Sequence, residues 1–249
     1  MFISFEGIDG SGKSTQARAL ADHLRRVGRD VILTREPGGS PGAEDIRALV
    51  LTGDPDRWSA ETEILLFTAS RRDHLEKTIR PALAKGQTVI SDRFADSTRV
   101  YQGATRGDLR GMVDQLHALM IGVEPDLTFV IDMDPTIALA RSLRRLAGGE
   151  SARAASLAAG FAIGEDIGAG VGEFMKAVSH AKALDHAATM INDGEMPEDR
   201  FETFGPLFQA TLRLGFLELA QTFPQRCILI DGNRDATLVS ADIASRVHG

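Results

Sequence analysis

Several features that mark common classes of protein are scarce in this chain of 249 residues. The single cysteine, Cys227, excludes an internal disulfide and favours a reducing compartment. It stands in the apolar run CILI, so we interpret it as a core residue rather than a nucleophile. No apolar run approaches the roughly 20 residues that a membrane-spanning helix needs. Met1 leads directly into a strand-like run, so we expect no signal peptide and a cytoplasmic location.

Positive charge is also in short supply. The chain carries 28 lysines and arginines against 35 acidic residues, a net charge of −7. A general nucleic-acid binder needs a basic face to neutralise phosphates, so we expect neither a nucleic-acid nor a membrane partner. A few converging arginines would still suffice to bind a small phosphorylated ligand.

Short apolar runs rich in β-branched residues or phenylalanine recur along the chain. They are FISF (2–5), VILT (31–34), TVIS (88–91), LTFVID (127–132) and CILID (227–231). Amphipathic stretches of helical period separate them, as at 15–27 and 61–85. This alternation predicts an α/β fold with a parallel five-stranded sheet and helices on both faces. Ligands of such sheets bind at the carboxyl ends of the strands.

One segment breaks the alternation. Residues 147–197 are rich in alanine and glycine and contain no strand-like run. Their second part has helical spacing, and the glycines follow no strand, so they form no credible nucleotide fingerprint. We therefore expect residues 1–249 to form a single domain that carries a helical insertion at about 147–197.

The segment EGIDGSGKSTQ at 6–16 follows the first strand and opens the first helix. Gly7, Gly12, Lys13 and Ser14 satisfy the pattern G-x-x-x-x-G-K-[ST] of a P-loop. The glycines let backbone N–H groups converge on phosphate, and the helix adds its positive end. Lys13 would reach the β- and γ-phosphates, and the Ser14 hydroxyl would bind Mg²⁺. The sequence thus predicts a nucleoside triphosphate site on a sheet of the P-loop NTPase type.

This loop serves kinases, GTPases and ATP-driven machines alike. A GTPase would need N-K-x-D to read guanine, and no Asn-Lys pair occurs in the chain. DLRG at 108–111 matches a switch motif but follows a polar loop, so we discount it.

Polar residues follow the next strands as well. Arginines are concentrated there: Arg35, Arg47, Arg71, Arg72 and Arg93. Their planar forks match phosphate oxygens, which indicates a second phosphorylated ligand. Asp92 ends a buried strand, where a carboxylate linked to Mg²⁺ is expected. For Asp132 and Asp134 we favour capping of the next helix over metal binding.

The whole motif set resembles the bacterial thymidylate kinases. It comprises EGIDGSGKSTQ, TREPGGSPGAEDIR, ETEILLFTASRRDHL, SDRFADSTRVYQG, FVIDMDP and DRFE. REPGG together with DR-x-x-D-S-x-x-x-YQG is far narrower than a P-loop alone. The resemblance covers about residues 2–146 and 198–235, and it implies transfer of the ATP γ-phosphoryl group to dTMP with Mg²⁺.

The resemblance implies two sets of binding residues. For ATP they are Gly7, Asp9, Gly10, Ser11, Gly12, Lys13, Ser14 and Thr15. For dTMP they are Asp9, Glu36, Pro37, Arg47, Phe67, Arg71, Arg72, Arg93, Thr98, Tyr101 and Gln102. Ser14 and Asp92 would hold the metal ion.

The resemblance also implies roles within the dTMP set. Asp9 would accept a hydrogen bond from the deoxyribose 3′-OH, and Tyr101 would crowd C2′ and disfavour ribose. Phe67 would stack on thymine, and Arg71 would reach O4. Thr98, where the family usually has serine, and Gln102 would bind the remaining polar edge.

The phosphate of dTMP would be held by Arg93, with help from Arg35, Arg47 or Arg72. Phosphoryl transfer needs positioning and charge neutralisation more than a strong base. We count Lys13, Arg93, Asp9, Arg144 and Arg145 as the catalytic set.

The catalytic arginine that some members carry in the P-loop is replaced here by Gly10. Members with that glycine supply arginines from a lid after the fourth strand. The candidates are Arg141, Arg144, Arg145, Arg153 and Arg200. The insertion at 147–197 stands where the family usually has a short loop, so we expect it to enlarge the lid. The family also implies a homodimer.

Two other hypotheses stay open at this point. One is a related deoxynucleoside or nucleoside-monophosphate kinase, distinguished by whether Thr98 and Gln102 read a thymine edge. The other is a nucleotide-dependent binding module with little turnover, which would hydrolyse ATP without acceleration by dTMP.

Overall fold

The computed structural model describes residues 1–53, 57–103, 107–146 and 205–247. Five parallel strands form one sheet in the order β2-β3-β1-β4-β5. The strands are β1 (Phe2–Glu6), β2 (Val31–Arg35), β3 (Thr88–Asp92), β4 (Leu127–Asp132) and β5 (Cys227–Asp231). The predicted α/β fold with a five-stranded parallel sheet is therefore confirmed. Residues 147–197, Arg153 and Arg200 lie outside the described residues, so the predicted insertion stays a prediction.

Helices join the strands. They are α1 (Lys13–Arg26), α2 (Pro41–Leu51), α3 (Ala60–His74), α4 (Arg80–Ala84), α5 (Ala95–Tyr101), α6 (Arg110–Met120), α7 (Pro135–Leu146), α8 (Gly205–Thr222) and α9 (Ala236–Arg246). A π-helical turn, Leu75–Ile79, links α3 to α4. The amphipathic stretch predicted at 61–85 therefore forms one nearly continuous helical segment. The stretch predicted at 15–27 corresponds to α1, whose bounds differ from it by at most two residues.

Apolar side chains cover both faces of the sheet. Leu20 of α1 and Ile243 of α9 pack on one face. Val100 of α5 and Phe216 of α8 belong to the core on the other face. Because both faces are buried, the strands read as nearly continuous apolar runs, which is why they could be recognised in the sequence.

The register brings the ends of three strands together. Asp92 at the end of β3 pairs with Phe5 of β1 on one side and with Arg35 of β2 on the other. The loops that follow β1, β2 and β3 therefore leave the sheet at the same edge, as expected for a ligand site of a parallel sheet.

In the part of the chain that the structure describes, no helix combines the length and apolar character needed to cross a membrane.

Candidate active site

A cavity of about 670 Å³ opens at this edge of the sheet. Most of the predicted site residues line it: Asp9, Gly10, Gly12, Lys13, Ser14, Thr15, Glu36, Pro37, Arg47, Phe67, Arg71, Asp92, Arg93, Thr98, Tyr101 and Gln102. The P-loop and the residues predicted to bind a second nucleotide therefore face the same space.

The P-loop carries a glycine at position 10 for a steric reason. Gly10 has φ +81°, a left-handed conformation, and a Cβ there would lie 1.9 Å from the carbonyl oxygen of Ala138 on α7. Any side chain at this position would displace the backbone of α7. Arg141, one turn further along α7, lines the cavity. Of the arginines proposed for the lid, it is the one that the described residues bring to the site.

Lys13 is buried at the start of α1. Its ammonium donates to the Ile8 carbonyl at 2.8 Å and lies 3.8 Å from Asp9 Oδ1. Burial, followed by the nearby Arg93 charge, lowers the pKa of Lys13 to about 8, although three carboxylates oppose the shift. The site thus holds a cation that has lost most of its water and can exchange its carbonyl partner for phosphate oxygens.

Ser14 and Asp92 meet across the cavity. The Ser14 hydroxyl donates to the Asp92 carboxylate, so the two predicted metal ligands are already neighbours. Within the described ranges, no group of three or more His, Cys, Asp or Glu side chains could hold a metal ion. One carboxylate and one hydroxyl fit Mg²⁺, which usually keeps several waters and takes its other ligands from substrate phosphates.

Asp9, Arg93 and Tyr101 form one hydrogen-bonded cluster. Arg93 Nη2 donates to Asp9 Oδ1 and also to the Tyr101 hydroxyl at 3.1 Å. The Tyr101 hydroxyl donates to Asp9 Oδ2 at 2.8 Å. Burial raises the pKa of Asp9, but the charges of Arg93 and Lys13 outweigh it and hold that pKa below its usual range. Burial raises the pKa of Tyr101, which stays protonated.

A second buried cluster lies behind the acceptor side. Arg71 Nε donates to Glu36 Oε2 at 2.7 Å, and Arg71 Nη2 donates to the Thr98 hydroxyl at 2.9 Å. His74 Nδ1 lies 3.0 Å from the other oxygen of Glu36, and its Nε2 lies 2.7 Å from Thr34 Oγ1. If the carboxylate accepts from Nδ1, Nε2 accepts from Thr34. Arg71 is therefore held rigidly at the cavity wall.

The remaining acceptor residues surround Arg71. Gln102 donates from Nε2 to the buried carboxylate of Glu63 at 3.2 Å. Arg47 donates to the Pro37 carbonyl at 2.7 Å, which ties α2 to the loop after β2. Phe67 of α3 places an aromatic ring in the wall of the same cavity. The wall thus combines a ring face with polar groups.

Comparisons with known proteins agree with this geometry. A family model described as Thymidylate kinase matches residues 5–154. The chain belongs to the thymidylate kinase family. A curated protein from Dinoroseobacter shibae named Thymidylate kinase is 58% identical, with 98% of this chain and 95% of the relative covered. One from Ruegeria pomeroyi with the same name is 54% identical over 99% of this chain and 94% of the relative.

A solved structure is similar as well. The crystal structure of thymidylate kinase from Ehrlichia chaffeensis has a TM-score of 0.64 and 30% identity, and the match covers 98% of this chain and 97% of that one. The P-loop type of fold and the predicted family are therefore confirmed. Each of these matches extends over nearly the whole of both proteins.

One arginine assigned from the family motif does not line the cavity. Arg72 points away from the cavity, where it donates to Glu76 and to the Met120 carbonyl. Successive residues of a helix point about 100° apart, which directs Arg72 to a different side of α3 from Arg71. A role of Arg72 in dTMP binding stays a prediction that the present contacts do not support.

Three other predicted residues, Gly7, Ser11 and Arg144, do not line the cavity. Gly7 and Ser11 shape the P-loop from behind, because a Cβ on Gly7 would lie 2.6 Å from the Ile131 carbonyl and 3.2 Å from Ser11 Oγ. Arg144 is exposed on α7 and is not among the lining residues. The side chain of Arg145 lies outside the described part of the chain, so its role stays a prediction.

Sequence reasoning missed other residues of this thymidylate kinase-family site. Arg18, Leu51, Phe94 and Ser97 also line the cavity. Arg18 stands on α1 one turn beyond Ser14, a spacing of four that would have indicated it. Ser97 accepts from Arg93 Nη1 at 2.8 Å, a contact that no spacing rule reveals.

Proposed function

We propose that this chain transfers the γ-phosphoryl group of ATP to dTMP, giving dTDP and ADP. The observation that carries the proposal is that one cavity is lined both by the P-loop and by a set of arginines, an aromatic ring and amide and hydroxyl groups. A site for ATP alone would not need the second set, whose composition suits a nucleoside monophosphate.

The P-loop residues bind and orient the donor. Backbone N–H groups of the loop and the N-terminus of α1 would cradle the phosphates. Lys13 would leave the Ile8 carbonyl and bind the β- and γ-phosphates. Arg141 would add positive charge from α7, beside the loop where Gly10 leaves no room for an arginine.

Mg²⁺ would be held by Ser14 and, directly or through water, by Asp92. The proposal is supported by the hydrogen bond that already joins these two oxygens. When bound, the ion neutralises charge on the donor phosphates. Asp92 accepts from Ser14 until then, so the chain itself holds the two ligands in place.

The acceptor phosphate would be bound by Arg93. Arg93 directly follows Asp92 at the end of β3. The residue that would bind the acceptor phosphate is therefore the sequence neighbour of a predicted metal ligand. Arg35 and Arg47 line the same cavity and would complete the clamp. Positioning of the two phosphates in line is the main contribution that such an enzyme makes.

The deoxyribose would sit against Asp9 and Tyr101. An ionised carboxylate has about four acceptor positions, so Asp9 can accept from a 3′-OH while it keeps its bonds to Arg93 and Tyr101. The Tyr101 ring is only 7% exposed and is fixed by its hydroxyl, which suits a steric barrier to a 2′-OH.

Thymine would stack on Phe67 with its polar edge towards Arg71, Thr98 and Gln102. The amide of Gln102 donates to Glu63, which leaves its oxygen to accept from the thymine N3–H. Cytosine has no hydrogen on N3, so the same oxygen would face a lone pair. The proposal therefore includes selection of thymine over cytosine.

An acceptor panel tests the function. The purified chain with ATP and Mg²⁺ should release ADP fastest with dTMP and much more slowly with dCMP, dGMP or UMP. Gln102→Leu should reduce the preference for dTMP over dCMP by about tenfold or more, because a buried polar contact is lost. Gln87→Leu is the control, since Gln87 is a half-buried residue that donates to Asp30 and does not line the cavity. ADP release that dTMP does not accelerate would contradict the proposal.

We also propose that the chain is a homodimer that works in the cytoplasm. The dimer is supported by large apolar side chains on the adjoining helices α3 and α6. Leu65 is 57% exposed, Leu119 is 78% exposed, and Met112 and Met120 lie on the same helix as Leu119. The cytoplasmic location is supported by the single thiol, which is buried.

Light scattering tests the dimer. The wild-type chain should have twice the monomer mass, and Leu119→Lys should shift it to monomers because a charge would be buried at the interface. Leu238→Lys is the control, because Leu238 is 60% exposed on α9. A wild-type mass of one chain would refute the dimer.

A further inference from the structure

Glu6, the last residue of β1, is a carboxylate with no exposed surface and no part in the reaction proposed above. It does not line the cavity. A buried charge is costly unless specific groups solvate it, so its partners indicate what it does.

Both oxygens of Glu6 are used, and both point towards the segment after β3. Glu6 Oε1 accepts from the backbone N–H of Phe94 at 2.7 Å. Glu6 Oε2 accepts from the Ser97 hydroxyl at 2.6 Å. Glu6 thus connects β1 to Phe94, which directly precedes α5, and to Ser97 in the first turn of α5.

These two bonds act on Arg93 from two directions. Arg93 has φ +72°, a left-handed conformation that is uncommon for residues other than glycine, and the bond to the next N–H, that of Phe94, supports it. The Ser97 oxygen that donates to Glu6 accepts in turn from Arg93 Nη1 at 2.8 Å. Glu6 therefore bonds to the peptide group that follows Arg93, and it reaches the Arg93 side chain through Ser97.

The charges around Glu6 suit this role. Asp96 on α5 is occupied by Arg99 and Arg226 and makes no bond to Glu6, which it repels. Arg93 and, from α1, Lys13 attract the Glu6 carboxylate. Burial, followed by the Asp96 charge, raises the pKa of Glu6 to about 7, so it is ionised in an assay at pH 8.

We propose that Glu6 is a positioning residue that holds the guanidinium of Arg93 in line for phosphoryl transfer, through the Phe94 N–H and the Ser97 hydroxyl. The inference rests on the proposed function, in which Arg93 binds the acceptor phosphate. Asp9 and Tyr101 hold Nη2 of the same fork. Nη1 donates to Ser97 at 2.8 Å, which Glu6 orients, and to the Gly7 carbonyl at 3.2 Å, so the fork is fixed at both nitrogens and the shorter Nη1 bond is the one that depends on Glu6.

Glu6→Gln tests the proposal with almost no change in volume. Glutamine removes the negative charge and offers one acceptor oxygen. If that oxygen keeps the Phe94 N–H, the Ser97 hydroxyl can no longer donate to residue 6 and would have to accept from the glutamine amide, which reverses the bond. At pH 8 we expect kcat with dTMP to fall on the order of 10- to 100-fold, the effect of displacing a reacting group by about 1 Å. The KM for ATP should change by less than about twofold, because the P-loop contacts are untouched.

Ser97→Ala provides a second, smaller perturbation of the same path. It should lower kcat in the same way, and the Glu6→Gln/Ser97→Ala double variant should be no slower than the slower single variant, because both changes break one chain of bonds. Glu124→Gln is the matched control. Glu124 is an ion-paired carboxylate bonded to Arg99 and does not line the cavity, so its loss should lower the melting temperature without slowing turnover.

The outcomes separate this inference from the proposed function. If Arg93→Ala is slow and folded Glu6→Gln turns over at the wild-type rate, the inference is wrong and the proposed function stands. If Glu6→Gln raises the KM for ATP as much as it lowers kcat, its role is general stability and the inference is also wrong. If Arg93→Ala itself is as fast as wild type, the assignment of Arg93 as a phosphate clamp fails, and the inference fails with it.

Discussion

Lys13→Met should make this protein more stable while it abolishes turnover. The lysine is 6% exposed and its pKa falls from an ordinary 10.5 to about 8, with burial as the largest cause. A change of this size means that the fold disfavours the ammonium by about 3 kcal/mol relative to the unfolded chain. Methionine fills a similar space without a charge.

Part of this gain is lost again. The ammonium donates to the Ile8 carbonyl, and removal of a hydrogen bond from a charged donor costs about 1.5 to 3 kcal/mol. That carbonyl still accepts from the Ser11 N–H at 3.2 Å, so it does not become unpaired. The net effect is a stabilisation of up to about 1.5 kcal/mol, which for a chain of this length raises the melting temperature by up to roughly 6 °C.

The effect has a defined dependence on pH. Below about pH 8 the lysine is charged in both folded and unfolded chains, so the full penalty applies. Between about pH 8 and 10.5 the folded chain loses the proton and the unfolded chain keeps it, so the stability of the wild type rises with pH. The difference between variant and wild type should therefore be largest at pH 7 and smaller at pH 9.5.

Urea unfolding at the two pH values measures this difference, and an ADP-release assay measures turnover. Lys85→Met is the matched control, because Lys85 is exposed at the end of α4 and its replacement should change stability by less than about 0.5 kcal/mol. A Lys13→Met variant that is less stable than wild type at pH 7, or a difference that does not shrink at pH 9.5, would refute the reasoning.

Three further predictions concern the shape of the site. Gly10→Ala should abolish turnover and lower the free energy of unfolding by about 2 kcal/mol or more, because its Cβ would clash with the Ala138 carbonyl. Gly86→Ala is the control in the same urea titration. Gly86 has φ +76° and no atom within 4 Å of a Cβ, so the substitution should cost only about 1 kcal/mol. Tyr101→Phe should lower kcat by about tenfold, since Asp9 and Arg93 lose a shared partner, yet keep the preference for dTMP over UMP within about threefold because the ring remains. A large gain in UMP activity would mean that the hydroxyl, not the ring, excludes ribose. Arg72→Ala should change kcat and the KM for dTMP by less than about twofold, in line with a surface ion pair to Glu76; a severe loss would return Arg72 to the site.

Much of the fold was predictable because the three central strands, β1, β3 and β4, are buried on both faces and end at polar motifs. The apolar runs at 2–5 and 127–132 became strands with bounds within one residue of those predicted. The P-loop was equally readable, since its glycines and lysine have a fixed spacing with a mechanical reason. The acceptor residues came from the family motifs, not from physical reasoning about single residues.

The unpredicted parts depend on side-chain direction and long-range packing. Arg71 and Arg72 are adjacent in sequence, but the rotation of the helix gives them different partners. Arg71 pairs with the buried Glu36 at the cavity wall, and Arg72 pairs with Glu76 at the surface. Glu6 ends β1 and looks in the sequence like the first residue of the P-loop. Its hydrogen bond to Ser97 could not be predicted, because the two residues are 91 positions apart. His74 lies three residues after Arg71, a spacing that predicts that the two side chains share one face of the helix. The spacing does not reveal that both contact the carboxylate of Glu36.

Asp92 and Arg93 are consecutive residues, yet one serves the donor's metal ion and the other the acceptor's phosphate in the reaction proposed here. They leave the sheet from β3, whose register is fixed by β1 on one side and β2 on the other. A slip of β3 by a single residue would turn both side chains to the opposite face at once. A one-residue insertion or deletion in this strand would therefore disturb the metal site and the phosphate clamp together, whereas a point substitution at Asp92 or Arg93 could affect one of them alone.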